Sequence, residues 1–292
     1  MKKYRAIFFD WDGTAVSSRS VPADKAIAAM KPLLQQGVKL VIVSGTTIEN
    51  IAGGHIESFF TPDELQNLYL GLGRGAYNYA FDEEGKPYIF ENEIPEKQIL
   101  LDIHKICFDI HMELLHRYDF ATDVVFSRPN YCKIDLMVYN QRGDNLYLQA
   151  SELDMLKESL EAHNIHGGLK SLIELSMEVS KRYGINAAAT CDAKYLEVGI
   201  SSKSNNVDTI LNKICNDSDI SPEKCAYWGD EYVGIETGIF GSDSYMITEQ
   251  TVAGDFFDVS EVEGERPEVV EVIGGGVNQF ITFLLEQGKY VD

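Results

Sequence analysis

The chain is short of positive charge: 25 Lys and Arg stand against 46 Asp and Glu, a formal charge of −21 over 292 residues. That deficit excludes a sequence-independent grip on nucleic acid, which needs a basic footprint. It also disfavours an anionic membrane surface. Long apolar runs are missing, and no stretch approaches the roughly 18 consecutive apolar residues of a membrane span. The apolar start Ala6-Ile7-Phe8-Phe9 is cut off by Asp10 and Asp12, too early for a signal-peptide core. Cysteine is sparse and odd in number, and Cys107, Cys132, Cys191, Cys215 and Cys225 contain no C-x-x-C pair. This predicts reduced thiols in a cytoplasmic protein rather than a disulfide frame or a zinc site. No G-x-x-x-x-G-K-[ST] phosphate loop occurs. His111 and His116 lack the Glu of H-E-x-x-H and read as solvated helix histidines. Gly71-Leu72-Gly73-Arg74-Gly75 fails as a dinucleotide loop, because Ala76 breaks the pattern and a strand follows.

What is present is ordinary globular material, 45% apolar, with room for one large domain or two smaller ones. Residues 4–9 form a short apolar run ending on acids, which predicts a buried strand. A helical spacing of Ile27, Met30, Leu33 and Leu34 follows, stopped by Gly37, and then a second apolar run from Val38 to Val43. Strand, helix, strand in about forty residues is a βα unit leading to a parallel strand, buried on both faces.

The pattern changes after residue 75. Ala76–Phe81 and Pro87–Phe90 flank an Asp-Glu-Glu-Gly turn as a hairpin. Helices are expected at 95–116, 151–163 and 168–183, and strands at 123–127, 131–138, 187–190 and 195–198. This region predicts a separate α+β layer inserted into a Rossmann-like parallel-sheet core, with the core at 1–82 and 190–292 and the insert at 83–189. The core pattern resumes with a helix around 204–215, the strand Ala226-Tyr227-Trp228, a late strand near 244–247 and a last helix at 277–287. Residues 255–271 hold seven acids and one Arg and read as a solvated connection.

Acids cluster where the parallel strands end, which is where ligands bind in open α/β sheets. Asp10-Trp11-Asp12-Gly13-Thr14 leaves the first strand with two carboxylates two residues apart. Such a pair needs a cation, or a raised pKa on one member; a plain Asp-Gly turn is the alternative. The second strand ends in Ser44-Gly45-Thr46, a hydroxyl and free amides at a predicted helix start, suited to an anion. Lys203 opens a later helix, where a solvated surface role is the alternative, and Gly229-Asp230-Glu231 gives a third acidic strand end.

Together, in this order, the four segments resemble the haloacid dehalogenase-like hydrolase superfamily, whose motifs are D-x-D-G-T, a Ser or Thr after the second strand, a Lys at a helix start, and G-D with another acid. Only 33 residues separate Asp10 from Ser44, but 158 separate Ser44 from Lys203, room for an inserted cap of that family's second type. Leu72-Gly73-Arg74-Gly75-Ala76-Tyr77 looks like the strand entering the cap in its Cof-type subfamily of sugar phosphatases. The usual Asn-Asp pair after G-D is missing here. The second acid is then Glu231 or Glu236; Glu231 is preferred, because Glu236 is expected in the next helix.

The resemblance implies a phosphatase in which Asp10 is the nucleophile and Asp12 the general acid and base. Ser44, Gly45 and Lys203 would hold the phosphoryl group. Mg²⁺ would sit on Asp10, Asp12 through its carbonyl, Asp230 and Glu231. The implied partner is a small phosphate ester, a sugar phosphate being the family-weighted expectation. Arg74, Arg128, Asn130, Tyr131 and Lys133 are the candidates for reading it, although each is also an ordinary surface type. A phosphomutase using the same residues, or a non-catalytic binding module on this scaffold, are the alternatives.

Overall fold

The computed structural model describes residues 2–140, 150–191 and 194–289. Its centre is an eight-stranded sheet in the order β14-β13-β10-β1-β2-β3-β4-β5. The strands are β1 (Ala6–Phe9), β2 (Lys39–Ser44), β3 (Leu68–Leu72), β4 (Tyr77–Phe81), β5 (Pro87–Asn92), β10 (Cys225–Gly229), β13 (Asp255–Asp258) and β14 (Val270–Val272). All neighbours run parallel except β3–β4 and β4–β5.

Helices cover both faces of this sheet, as a parallel sheet requires. Ile7 and Phe9 point to the side of α1 (Asp24–Gln35) and α7 (Gly276–Gln287), where Trp228, Phe280 and Phe283 pack. Ala6 and Phe8 point to α6 (Lys203–Asp217), and Phe8 and Phe256 stack on either side of Tyr227. Both alternating sets on β1 are fully buried, which is why the strand reads as an unbroken apolar run. Each such large side chain contributes about 1.5–3 kcal/mol through burial. The short α2 (Pro62–Leu65) is held by a capping box between Thr61 and Glu64.

A second sheet, in the order β6-β7-β9-β8, is entirely antiparallel. It comprises β6 (Asp123–Val125), β7 (Tyr131–Asp135), β8 (Ala188–Cys191) and β9 (Tyr195–Gly199). Alternation sends Cys132, Ile134, Leu196 and Val198 into a core with α3 (Lys97–Tyr118), α4 (Ala150–Ala162) and α5 (Gly168–Arg182). The opposite face carries Tyr131, Lys133, Thr190 and Glu197. A two-stranded ribbon of β11 (Gly234–Glu236) and β12 (Ile239–Phe240) completes the described chain.

β5 lies inside 83–189 but pairs with β4 in the large sheet, while half of β8 and all of β9 lie beyond 189 yet belong to the small one. The strand expected near 244–247 is a 3₁₀ turn, Ser242–Met246, that buries Met246 beside α6. Instead, β13 opens the acidic segment 255–271 and β14 straddles its end. Asp258 is tolerated in the sheet interior because Arg266 Nε pairs with it at 2.8 Å.

Candidate active site

Three neighbouring parallel strands end level with one another. Phe9 is in register with Trp228 on one side and Ile42 on the other, so Asp10, Asp230 and Ser44 emerge along the same edge of the sheet. Asp10 is fixed there by its own amide, which donates to the Trp228 carbonyl at 3.0 Å. Its Oδ1 accepts the Trp11 amide at 2.8 Å. Trp11 then turns into the core, 1% exposed. Gly13 takes a left-handed φ of +84°, and a Cβ there would overlap the Asp230 carboxylate. Thr14 Oγ1 donates to Asp230 Oδ1 at 2.8 Å, tying the first acidic turn to the third.

Lys203 is the first residue of α6, positioned by a Ser202–Asn205 capping box. Its Nζ lies 3.2 Å from Asp10 Oδ2 and 2.8 Å from Asp243 Oδ1, with the side chain 6% exposed. Asp243 was not distinguished in the sequence. It is fully buried, and its Oδ2 accepts the amides of Asp230 and Glu231 at 3.0 and 2.8 Å. The ribbon β11–β12 reverses the chain and returns Asp243 beneath the Gly229-Asp230-Glu231 turn, a closure over 12 residues that adjacency in sequence does not reveal.

One carboxylate oxygen from each of Asp10, Asp230 and Asp243 lies within 4.8 Å of the others. Glu231 lines the same cavity, but its carboxylate accepts Ser242 Oγ at 2.7 Å and it is not a member of this triad. Glu236 is elsewhere. It sits in β11 rather than the expected helix and accepts the amides of Leu169 and Lys170, capping α5. Of these two acids Glu231 lines the cavity and Glu236 does not, while the clustered carboxylates are those of Asp10, Asp230 and Asp243.

Electrostatics follow from this crowding. Burial pushes Asp10 up to about 8, opposed by Lys203 and reinforced by Asp243, Asp12 and Glu231. Asp230 is raised well above the usual carboxylate range by burial and then by Asp243, Glu231 and Asp10. Burial works against the Lys203 charge, but Asp10 and Asp243 overcome it and raise its pKa. Three carboxylates against one ammonium leave negative charge uncompensated, and their oxygens are the donor set of a hard divalent cation. The residues therefore fit Mg²⁺. Asp243 already receives three hydrogen bonds, so Asp10 and Asp230 are the carboxylates with capacity to spare.

Asp12 stands at the mouth. Its Oδ2 pairs with Arg19 at 2.6 Å, while Oδ1 is buried with no partner among the described residues. Arg19 also donates to Thr46 Oγ1 at 3.1 Å. Nothing in the sequence singled Arg19 out. Ser44 is buried, the neighbouring Gly45 is exposed, and the helix expected at Ser44-Gly45-Thr46 is only a 3₁₀ turn, Ile48–Asn50.

The cavity above this edge measures about 270 Å³. Asp10, Asp12, Ser44, Gly45, Lys203 and Asp230 all line it, so the segments read separately from the sequence do converge. Its opposite wall is the polar face of the small sheet. Thr190, Glu197 and Lys133 stand in one cross-strand row, and Lys133 Nζ lies 2.7 Å from Glu197 Oε1. Arg74 reaches this row from the β3–β4 loop. Its Nε lies 3.0 Å from Glu197 Oε2, Nη2 donates to Thr190 Oγ1 at 2.6 Å, and the guanidinium lies over the Tyr131 ring. Arg128, Tyr131 and Lys133 also face the cavity. Asn130 does not. It is buried and donates to Ser201 Oγ and the Arg74 carbonyl. Glu197, which organises the wall, is an acid inside an apolar strand, a signal the sequence did contain.

Residues 7–236 match the family model described as haloacid dehalogenase-like hydrolase. Among solved structures, an N-terminally truncated IMP-nucleotidase of Plasmodium falciparum is similar with a TM-score of 0.59 at 14% identity, over 99% of this chain and 71% of that one. A trehalose-6-phosphate phosphatase of Aspergillus fumigatus is similar with a TM-score of 0.53 at 14% identity, over 98% of this chain and 93% of that one. At such identities these likenesses speak for the fold alone. No curated protein matches.

Proposed function

The chain belongs to the haloacid dehalogenase-like hydrolases, and from that premise we propose that it is a Mg²⁺-dependent phosphatase of a small phosphorylated metabolite. The observation that carries this reading is the meeting of Asp10 and Asp230, at neighbouring strand ends, with Lys203, at the start of α6, beneath a small cavity. Mg²⁺, held by Asp10, Asp230 and the Asp12 carbonyl, would supply charge neutralisation for the phosphoryl oxygens.

Asp10 is the nucleophile. Its carboxylate oxygen bonds to phosphorus as the ester oxygen leaves, giving an aspartyl-phosphate. Asp12 donates the proton that the leaving oxygen takes up. It then removes a proton from the water that displaces phosphate from Asp10, a role typically worth about 10²–10⁴-fold. Its present partner, Arg19, is a cation that an arriving phosphoryl dianion can engage instead, freeing Asp12 for proton transfer. Lys203, Ser44 and the Gly45 amide bind the transferring oxygens. Asp243 keeps Lys203 and the Asp230 turn in place. The small layer, from the end of β5 to the start of α6, serves as a cap whose polar face reads the leaving group. A cavity of about 270 Å³ suits a metabolite rather than a polymer, and a sugar phosphate is the first substrate class to try. The five cysteines are free thiols, which supports a cytoplasmic setting.

The test is phosphate release from a panel of sugar and polyol phosphates, with Mg²⁺ and with chelator, for the native chain and Asp10→Asn. Metal-dependent release that drops at least ~10³-fold in the variant is expected. Equal release by the variant would overturn the mechanism. Release only when a bisphosphate activator is supplied would point to a mutase.

A further inference from the structure

Arg74 occupies an unusual position. It and its two neighbours, Gly73 and Gly75, all have left-handed φ, at 56°, 67° and 95°. An L-residue held there between two glycines is strained. The strain has a structural counterpart: the loop leaves the large sheet and lays a guanidinium across the small one. Nε and Nη2 are partnered by Glu197 and Thr190, yet Nη1 is sealed from solvent with no partner among the described residues, on a side chain only 5% exposed. An unpartnered buried charged donor is costly, and the cost is removed when an acceptor arrives.

Arg128 adds to this. It lines the same cavity, half-buried, and its guanidinium has no ion pair or hydrogen bond among the described residues. On the described wall Arg74 shares the carboxylate of Glu197, while Arg128 stands beside them with no acid paired to it among the described residues. Lys133 already pairs with that carboxylate. A substrate carrying only a phosphoryl group would meet the floor and leave the guanidinium donors of the wall unused.

Building on the phosphatase reading, we propose that Arg74 and Arg128 form a second anion subsite, so that the preferred substrate carries another anionic group, a carboxylate or a second phosphoryl, besides the phosphoryl at Asp10. The Arg128 fork matches both groups with paired, charge-assisted hydrogen bonds, and Arg74 adds its remaining Nη1. A neutral sugar would satisfy donors but bring no charge to offset the Arg128 guanidinium. The inference moves the first choice of substrate from neutral sugar monophosphates to phosphorylated acids and bisphosphates.

Matched probes test it: glycerol 3-phosphate against 3-phosphoglycerate, and fructose 6-phosphate against fructose 1,6-bisphosphate. Binding to the 292-residue Asp10→Asn chain with Mg²⁺ is measured by calorimetry, and kcat/KM is measured on the chain with Asp10 intact. In at least one pair the doubly anionic member should bind at least ~10-fold tighter. The pair that is preferred shows whether a carboxylate or a phosphoryl fills the subsite. Arg128→Met and Arg74→Met, introduced separately, should each erase that preference; Arg128→Met leaves the Glu197 pairs intact and so guards against misfolding. Equal binding within both pairs, or a preference that survives both variants, overturns the inference. A binding preference without hydrolysis of any ester leaves the subsite standing and overturns the proposed phosphatase.

Discussion

The floor and the wall of the cavity are built on opposite principles. The floor is made of strand ends. Asp10, Ser44 and Asp230 each follow or close a parallel strand, and the register of three neighbouring strands brings them level. The wall is made of a strand face, where Lys133, Glu197 and Thr190 line up across three antiparallel strands because alternate residues share a side. Strand ends concentrate a few groups on one point, which suits bond-making at a single atom. A strand face spreads its groups over a surface, which suits reading the rest of a molecule. The charges divide accordingly, acidic below and basic above.

The strongest way to break this contrast is to disturb the floor where nothing on the wall can compensate. Asp243→Ala removes a partner of Lys203 and the acceptor of two amides. It should cost about 3–5 kcal/mol of stability, as broken buried pairs do. A loss of roughly 10²-fold or more in phosphate release should accompany it. Urea unfolding and a phosphate assay measure both, and wild-type values would refute the assigned clamp.

A second effect follows from the Asp10 carboxyl. Its folded value near 8 lies above its ordinary 3.8, so the folded chain holds this proton more tightly than the unfolded one between those limits. In chelator, the contribution of this group to stability is fully present below about pH 4 and is lost as pH rises through 8. Asp10→Asn lacks that loss. The melting temperature of the variant relative to the native chain should therefore climb by several degrees from pH 5 to pH 9. A difference that stays flat with pH would remove the basis for this assignment.

Wall changes should be smaller and should register mainly in recognition. Glu197→Gln weakens the hold on Arg74 and Lys133. It should lower kcat/KM by about tenfold (~1.4 kcal/mol), chiefly through KM. A fall confined to kcat would place Glu197 in the chemistry instead. Least of all, Glu236→Ala should cost about 0.5–1 kcal/mol by uncapping α5 and leave turnover within twofold. A large loss of turnover would show that the acid belongs to the site after all.

The two regions also differed in how far they could be read in advance. Each floor group lies next to an apolar strand, so local pattern and position coincide for Asp10, Asp12, Ser44, Lys203 and Asp230. Arg74, Tyr131 and Lys133 were legible as candidates because they lie on or beside strands of alternating pattern. Arg19 and Asp243 were not, since the first sits in an irregular loop and the second acts only after a chain reversal. The strands β13 and β14 were hidden by acids, because hydropathy alone does not show that Arg266 neutralises Asp258.

By itself, the sequence determined the class of the fold and the acidic strand ends, because burial on two faces writes continuous apolar runs and strand termini follow directly from where those runs stop. Tertiary structure alone decided which acid completes the cluster, where the small sheet begins and ends, and how Arg74 comes to lie across it. Those outcomes depend on contacts between residues far apart in the chain, such as Lys203 with Asp243 and Arg74 with Glu197, whose attraction acts through space and leaves no local period to read.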